Sequence, residues 1–297
     1  MTAADEHAER FTLLRPLLFT IAYEILGSAT EADDVLQDSY LRWATVDLDE
    51  VRDTKAYLAQ LVTRQALNTL RSQARRREDY VGPWLPEPLL LDEHDGAADV
   101  VLAESVSMAM LVVLETLTPD ERAVFVLREV FGFSHDEIAD AIVKSTAAVR
   151  QMAHRAREHV HSRRRRFSPL DPQQSGQLTT QFLTAAATGD LDGLMSLLAP
   201  DVVFTSDSDG KASAARRPIL GADKVARFIL GLFRQATPEY RVEVASYNSA
   251  PAVVIYHHDQ PEGVFTIEFS DGVITNFYAM RNPEKLAAVT VPREISR

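Results

Sequence analysis

Arg150, Gln151, His154 and Arg155 stand within six positions of one another, and each side-chain type can do a defined piece of recognition chemistry. A guanidinium can take both acceptors of a guanine edge, a carboxamide can pair with adenine, and an imidazole offers a donor or an acceptor in the same groove. Val149, Met152 and Ala156 recur at i, i+3 and i+7, so a helix here buries those three and turns the polar set outward. Lys144, Ser145, Arg155 and Arg157 flank the set and suit phosphate oxygens. A basic amphipathic helix is by itself more often a solvated face, so the elements around it must decide.

Those elements are explicit. Thr118-Pro-Asp-Glu121 reads as a helix start, with a threonine cap, proline at the first helical position and glutamate closing a capping box. An apolar helix follows through Val124, Phe125 and Leu127 to Val130, and Gly132 ends it. Ser134 caps a short helix from His135 to Ala141, a turn at Val143 and Lys144 follows, and Ser145 caps the polar helix. Short helix, tight turn and basic second helix together form a helix-turn-helix, which favours DNA over the solvated face.

The net charge of −12 argues against a nucleic-acid binder only as an average. Residues 1–50 hold eleven Asp or Glu against Arg10, Arg15 and Arg42, whereas residues 144–166 hold eight Lys or Arg against Glu158 alone. A second basic cluster is formed by Arg71, Arg75, Arg76 and Arg77. Alternating acidic and basic surfaces suit a chain that touches both DNA and a protein. With no cysteine, thiol chemistry, disulfides and zinc fingers are excluded, and any metal would need His and carboxylates. No metal or cofactor site is expected. No apolar run approaches a membrane span, so a cytoplasmic location with no membrane partner is expected.

The chain divides into a helical domain at 8–78, a proline-rich linker at 79–98, a helix-turn-helix domain at 99–167, a linker at 168–176 and an α+β domain at 177–292. In the first, helical stripes run from Phe11 to Ile25, Val35 to Trp43 and Tyr57 to Leu67. In the linker, Gly-Pro-Trp-Leu-Pro-Glu-Pro fixes φ at several positions and makes a stiff tether presenting Trp84 and Leu85. In the last, helices precede strand-like runs at Val202–Thr205, Tyr240–Tyr247, Ala252–His257, Gly263–Phe269 and Val273–Ala279. Asp271-Gly272 is the hairpin signal between the last two. This predicts a curved sheet wrapped around its helices.

Ala32-Asp-Asp-Val-Leu-Gln-Asp-Ser-Tyr-Leu-Arg-Trp43 resembles the second conserved region of extracytoplasmic-function sigma factors, the promoter-specificity subunits of bacterial RNA polymerase. Leu117-Thr-Pro-Asp-Glu-Arg and Val149-Arg-Gln-Met-Ala-His-Arg-Ala-Arg157 resemble their fourth region. Trp84-Leu-Pro-Glu-Pro88 and Asn282-Pro-Glu-Lys-Leu286 are similar to signatures of the sigma-J-like subgroup, which carries a SnoaL-like extension of the nuclear-transport-factor-2 type. Asp207-Ser-Asp-Gly-Lys211 stands where that subgroup has Asp-Gly-Gly-Gly-Lys. The resemblance spans essentially the whole chain.

The resemblance implies RNA polymerase core and promoter DNA as partners. It places Asp33, Asp34, Gln37 and Asp38 on a docking helix for the core, whose acidity suits a basic partner surface. It gives the minus-ten element to loop Ala44–Thr54 and the helix bearing Arg64, Asn68, Arg71 and Arg75. The minus-thirty-five element falls to Lys144, Ser145, Arg150, Gln151, His154, Arg155 and Arg157. It makes the extension a regulator in cis, and we expect that regulation to work by contact with the tether residues Trp84, Leu85, Pro86, Glu87 and Pro88. The touching residues are Asp207, Asp209, Gly210 and Lys211, with Asn282, Pro283, Glu284, Lys285 and Leu286. A small apolar ligand in the C-terminal pocket is an open partner.

Two other readings stay in play. SnoaL-like folds include cyclases with an acid/base Asp, and Asp201, Asp207, His257 and His258 are the candidates. No second carboxylate or triad spacing supports a reaction, so a non-enzymatic chain is favoured over a cyclase or isomerase with a DNA-binding passenger. A regulator that binds duplex DNA without polymerase would not need the acidic docking helix.

Overall fold

A computed structural model describes residues 3–91, 99–163 and 172–297, with the side chains of 3–4, 74–78 and 172 outside the description. The described chain forms two compact units. The first comprises Met1–Asp79, Leu91–Arg164 and Pro292–Arg297, the second Tyr80–Leu90 and Arg165–Val291.

The first unit is helical. Helix α1 (Ala3–Leu26) ends at Gly27, whose φ of 72° turns the chain, and the Ser28 hydroxyl accepts from the Glu31 amide to start α2 (Ala29–Trp43). A 3-10 turn, Leu48–Glu50, leads to α3 (Thr54–Glu78). Leu18, Ile21, Val35, Leu36, Leu58 and Val62 are buried, as their helical spacing requires. Trp43 is fully enclosed, and its indole N–H donates to the His7 carbonyl at 2.9 Å, satisfying its polar end.

Two short helices follow, α4 (Val100–Ser105), capped by Asp99, and α5 (Met108–Leu114), capped by Ser107. Helix α6 (Pro119–Phe125) carries the expected capping box and runs into a π-helical turn at Val126–Val130. Helix α7 (His135–Ile142) has a second box on Ser134, and α8 (Thr146–Arg163) buries Val149, Met152 and Ala156.

The α7–α8 turn places Val143 at φ 56°, ψ 56°. A β-branched residue in the left-handed region costs about 1–2 kcal/mol. Val143 is 78% exposed, so no burial of its side chain offsets this. Val143→Gly is therefore expected to raise the stability of the first unit by about 1 kcal/mol. An unchanged or lower melting temperature would show that the turn is not strained.

The second unit begins with α9 (Pro172–Thr188) and α10 (Leu191–Leu197). The sequence suggests a linker through residue 176, but the helix starts at Pro172, a residue suited to the first helical turn. Then come β1 (Leu198–Asp207), β2 (Ile219–Leu220), α11 (Ala222–Arg234), β3 (Tyr240–Tyr247), β4 (Ala250–His257), β5 (Gln260–Ser270), β6 (Val273–Met280) and α12 (Pro283–Leu286). The six strands form one sheet in the order β2-β1-β6-β5-β4-β3, antiparallel except that β1 runs parallel to β6. The long helical crossover between β1 and the meander permits that parallel pair.

Helices α9, α10 and α11 pack on this sheet through a core that includes Phe182, Leu194, Val225 and Ile229. Phe204 sits 5.0 Å from Phe228 and 5.7 Å from Phe277 between ring centroids, and Phe182 lies 5.3 Å from Phe277. The rings pack against one another in this core, and the small apolar ligand left open by the sequence finds no support. A cavity of about 170 Å³ is instead lined largely by small and polar residues, among them Ser206, Ser208, Ser213 and Gly82.

Candidate nucleic-acid interface and tether site

On α8, Arg150, Gln151 and His154 are exposed on the face opposite the buried Val149 and Met152. The flanking cations have partners within the unit. Arg155 Nε donates to Glu121 at 3.1 Å, Arg157 donates to Glu129 at 2.5 Å, and Lys144 lies 3.5 Å from Asp120. The Glu129 carboxylate raises the Arg157 pKa further. The Ser145 hydroxyl accepts from the Ala148 amide at 3.2 Å and is committed to capping.

On α3, Asn68 is exposed, and Arg64 and Arg71 are exposed but engaged. Arg64 donates to the carbonyls of Ala141 (3.0 Å) and Asp140 (2.6 Å), at the last turn of α7 where a cation is favoured. Arg71 donates to Asp120 Oδ1 at 2.5 Å. Asp120 thus holds Arg71 from one candidate reading surface and Lys144 from the other. The Arg75 side chain lies outside the described residues.

On α2, Asp34, Gln37 and Asp38 are exposed and Asp33 is partly covered. Asp33 accepts from Arg15 at 3.0 Å and from Arg293 at 2.6 Å. Arg293 belongs to the segment Pro292–Arg297, in which Ile295 is buried and the Ser296 amide donates to Thr20 at 3.2 Å.

The second unit gathers the tether and both loop signatures. Leu85, Pro86, Glu87 and Pro88 are buried and Trp84 is half-buried, so residues 80–90 are an integral layer of this unit. Asp207 is fully buried at the end of β1 and accepts from the Leu85 amide (2.8 Å), Lys285 Nζ (2.8 Å) and the Tyr80 hydroxyl. Lys285 also donates to the Leu85 carbonyl at 2.6 Å, and its ammonium lies 3.2 Å from the Trp84 ring centroid, a close cation–π contact. Asn282 donates to the Tyr80 hydroxyl at 2.8 Å while its carbonyl oxygen caps α12 at Glu284. Burial and the Asp207 carboxylate push the Tyr80 pKa far up, which keeps the phenol a donor.

Pro283 is exposed at the start of α12, and Leu286 is buried. Asp209 accepts from the Val81 amide at 3.1 Å and pairs with Lys211, which lowers its pKa. Lys211 reaches Glu284 at 2.9 Å. Gly210, at φ 67°, would put a Cβ 3.4 Å from Val81, so loop and tether touch closely there. The acid/base candidates do not converge: Asp201 is exposed, Asp207 is committed to the tether, and His257 and His258 lie at the β4–β5 hairpin.

Models of sigma-70 region 2, sigma-70 region 4 and a SnoaL-like domain match residues 11–76, 107–160 and 179–277. Over 287 residues the chain is 39% identical to the ECF RNA polymerase sigma factor SigJ of Mycobacterium tuberculosis H37Rv, covering 93% of this chain and 91% of that one. This chain belongs to the ECF RNA polymerase sigma factors. It is also 30% identical to the probable ECF sigma factor SigI of Mycobacterium tuberculosis, covering 96% of this chain and 97% of the relative. The crystal structure of Mycobacterium tuberculosis SigJ covers 96% of this sigma factor and 99% of its own chain, with a TM-score of 0.76 and 34% identity.

Several residues that matter in this sigma factor escape a reading of the sequence. Glu24, in the apolar stripe of α1, is fully buried and hydrogen-bonded by the Ser105 hydroxyl at 2.6 Å. Arg122, also buried, donates to the Glu24 carbonyl at 2.8 Å and to Glu115 at 2.6 Å. Tyr80, beside the Gly-Pro of the tether, carried a signal in its aromatic type at a linker edge. Asp120 carried none, because its capping-box position already explained an acid there.

Proposed function

We propose that this sigma factor is held closed in cis and opens to place RNA polymerase core on its promoters. The observation that carries the reading is the convergence of Arg71 and Lys144 on the single carboxylate of Asp120. Elements named minus ten and minus thirty-five lie about 25 base pairs apart, roughly 80 Å of duplex at ~3.4 Å per pair. Two surfaces that share one carboxylate cannot grip both elements together, so reading the promoter requires their separation. Arg64, bonded to the end of α7, supports the same state. Exposed ion pairs of this kind are worth only ~0.2–1 kcal/mol each, which leaves the closed state easy to open.

In the open state Arg64, Asn68, Arg71 and Arg75 serve the minus-ten element. Arg150, Gln151 and His154 read minus-thirty-five base edges, while Lys144, Ser145, Arg155 and Arg157 hold its phosphates. Asp33, Asp34, Gln37 and Asp38 dock on the core, and Arg293 covers part of that surface by pairing with Asp33. The SnoaL-like unit acts as the regulator, through the clasp of Asp207, Asn282 and Lys285 on Tyr80–Leu85, and this reading assigns it no reaction. The protein works where the polymerase works, in the cytoplasm.

Reconstituted transcription with core polymerase tests the reading on the full chain. Asp120→Ala is expected to raise promoter output by about two- to tenfold, from the loss of two weak pairs that favour the closed state. Trp84→Ala is expected to change output while leaving binding of the full chain to core polymerase intact. Output unchanged by both substitutions, or no association of the chain with core, would remove the proposal.

A further inference from the structure

The strands β3, β4 and β5 are joined by two-residue hairpin loops, Asn248-Ser249 and His258-Asp259. Both residues of each loop have positive φ, between 47° and 63°. Such turns ordinarily take Asn-Gly or Asp-Gly, and a histidine at the first position is a less common occupant. Here that residue is His258, and the strand residue before it is also a histidine.

The register brings a carboxylate to the pair. Tyr240 faces His257 across β3 and β4, so Glu239, one residue before β3, reaches the turn. Ligand atoms of Glu239, His257 and His258 all lie within 4.8 Å of one another. The two imidazoles are 4.2 Å apart between centroids, and His257 Nε2 is 3.6 Å from Glu239 Oε2. Tetrahedral ligands at ~2.0–2.1 Å from an ion stand roughly 3.3 Å from each other. The existing spacing therefore needs only rotamer adjustment.

The surroundings favour a cation. Tyr240 stacks on His257 at 4.8 Å and 26°, fixing that ring. Arg241, the next residue along β3 from Tyr240, is bonded to Glu243, lies 3.7 Å from Asp259 and stacks over Tyr256 at 4.1 Å, so its charge is balanced locally.

We propose that Glu239, His257 and His258 form a surface site for one divalent transition-metal ion on the SnoaL-like unit. Two imidazoles and one carboxylate match zinc, nickel or copper, whereas magnesium and calcium prefer all-oxygen shells. Three protein ligands leave a coordination position for water. The site lies at the β4–β5 hairpin, at the far end of β4 from Asn248, which bonds to the tether residue Leu89.

Zinc titration calorimetry on the untagged full chain, in metal-free buffer, tests it. One equivalent is expected to bind, with no competition from magnesium. His257→Phe keeps the stack on Tyr240, and His258→Asn keeps a side chain that tolerates positive φ. Each is expected to weaken zinc binding at least about tenfold, the scale reached by outer-shell losses alone, with the circular dichroism spectrum unchanged. Cobalt should give a visible absorption band that both variants lose. No zinc binding by the parent chain, or binding that survives both substitutions, overturns the proposal.

Discussion

Lys285→Ala is expected to destabilise the SnoaL-like unit by about 3–5 kcal/mol, the scale for removing one partner of a buried ion pair. Lys285 is 6% exposed at its side chain and Asp207 is fully enclosed. Once the ammonium is gone, the Leu85 amide and the Tyr80 hydroxyl are what Asp207 keeps among the described residues. The Leu85 carbonyl loses its donor and the Trp84 ring loses its cation in the same step. Urea unfolding of the full chain should show the loss. Hydrogen exchange in peptides covering residues 80–90 should show it concentrated there.

The double variant Lys285→Met with Asp207→Asn is the control. It removes both charges while keeping comparable volume, and replacing a whole buried pair is often close to neutral. If Lys285→Ala costs no more than the double variant, the pair does not anchor the tether.

The second large effect concerns pH. Burial pushes the Glu24 carboxyl up to about 8 from 4.5, against the opposing pull of the Ser105 hydrogen bond and the Arg122 charge. The folded state therefore keeps a proton that the unfolded chain releases near pH 4.5. The stabilisation is fully present below that value and is lost as pH climbs through about 8. A shift of this size amounts to something on the order of 5 kcal/mol at the alkaline end. Glu24→Gln should flatten the dependence and make the helical unit several kcal/mol more stable than the parent at pH 9. Parallel stability curves for parent and variant between pH 5 and 9 would refute a buried neutral carboxyl.

What the sequence made legible was local. Thr118 announced its helix through a capping box and Ser134 through its cap, both within a few residues, and Asp271-Gly272 announced its hairpin because glycine supplies positive φ. His258-Asp259 makes a turn of the same length and stayed silent, since nothing about its composition demands left-handed backbone. The parallel pairing of β1 with β6 was also hidden, for it joins residues some seventy positions apart with no turn between them to read.

The site divides in the same way. The polar face of α8 and the stiffness of the Pro-rich segment could be read from spacing and φ restriction. The partners of Arg64, Arg71 and Lys144 could not, because an exposed cation carries no mark of the backbone carbonyl or carboxylate it meets in the fold. Lys285 is expected against the tether with the rest of the signature at 282–286, but nothing in its local sequence marks its burial beside Asp207.

Each unit is assembled from separate stretches of chain, with residues 80–90 built into one and residues 292–297 into the other. No single cut can therefore release either unit whole. Cleavage after the fourth region would strip Leu85 and Leu89 of the layer that covers them, leaving greasy, sticky surface on the amino-terminal fragment. Poor behaviour of such a fragment would report that exposure, and editing individual side chains in the intact polypeptide is the cleaner route to assigning roles.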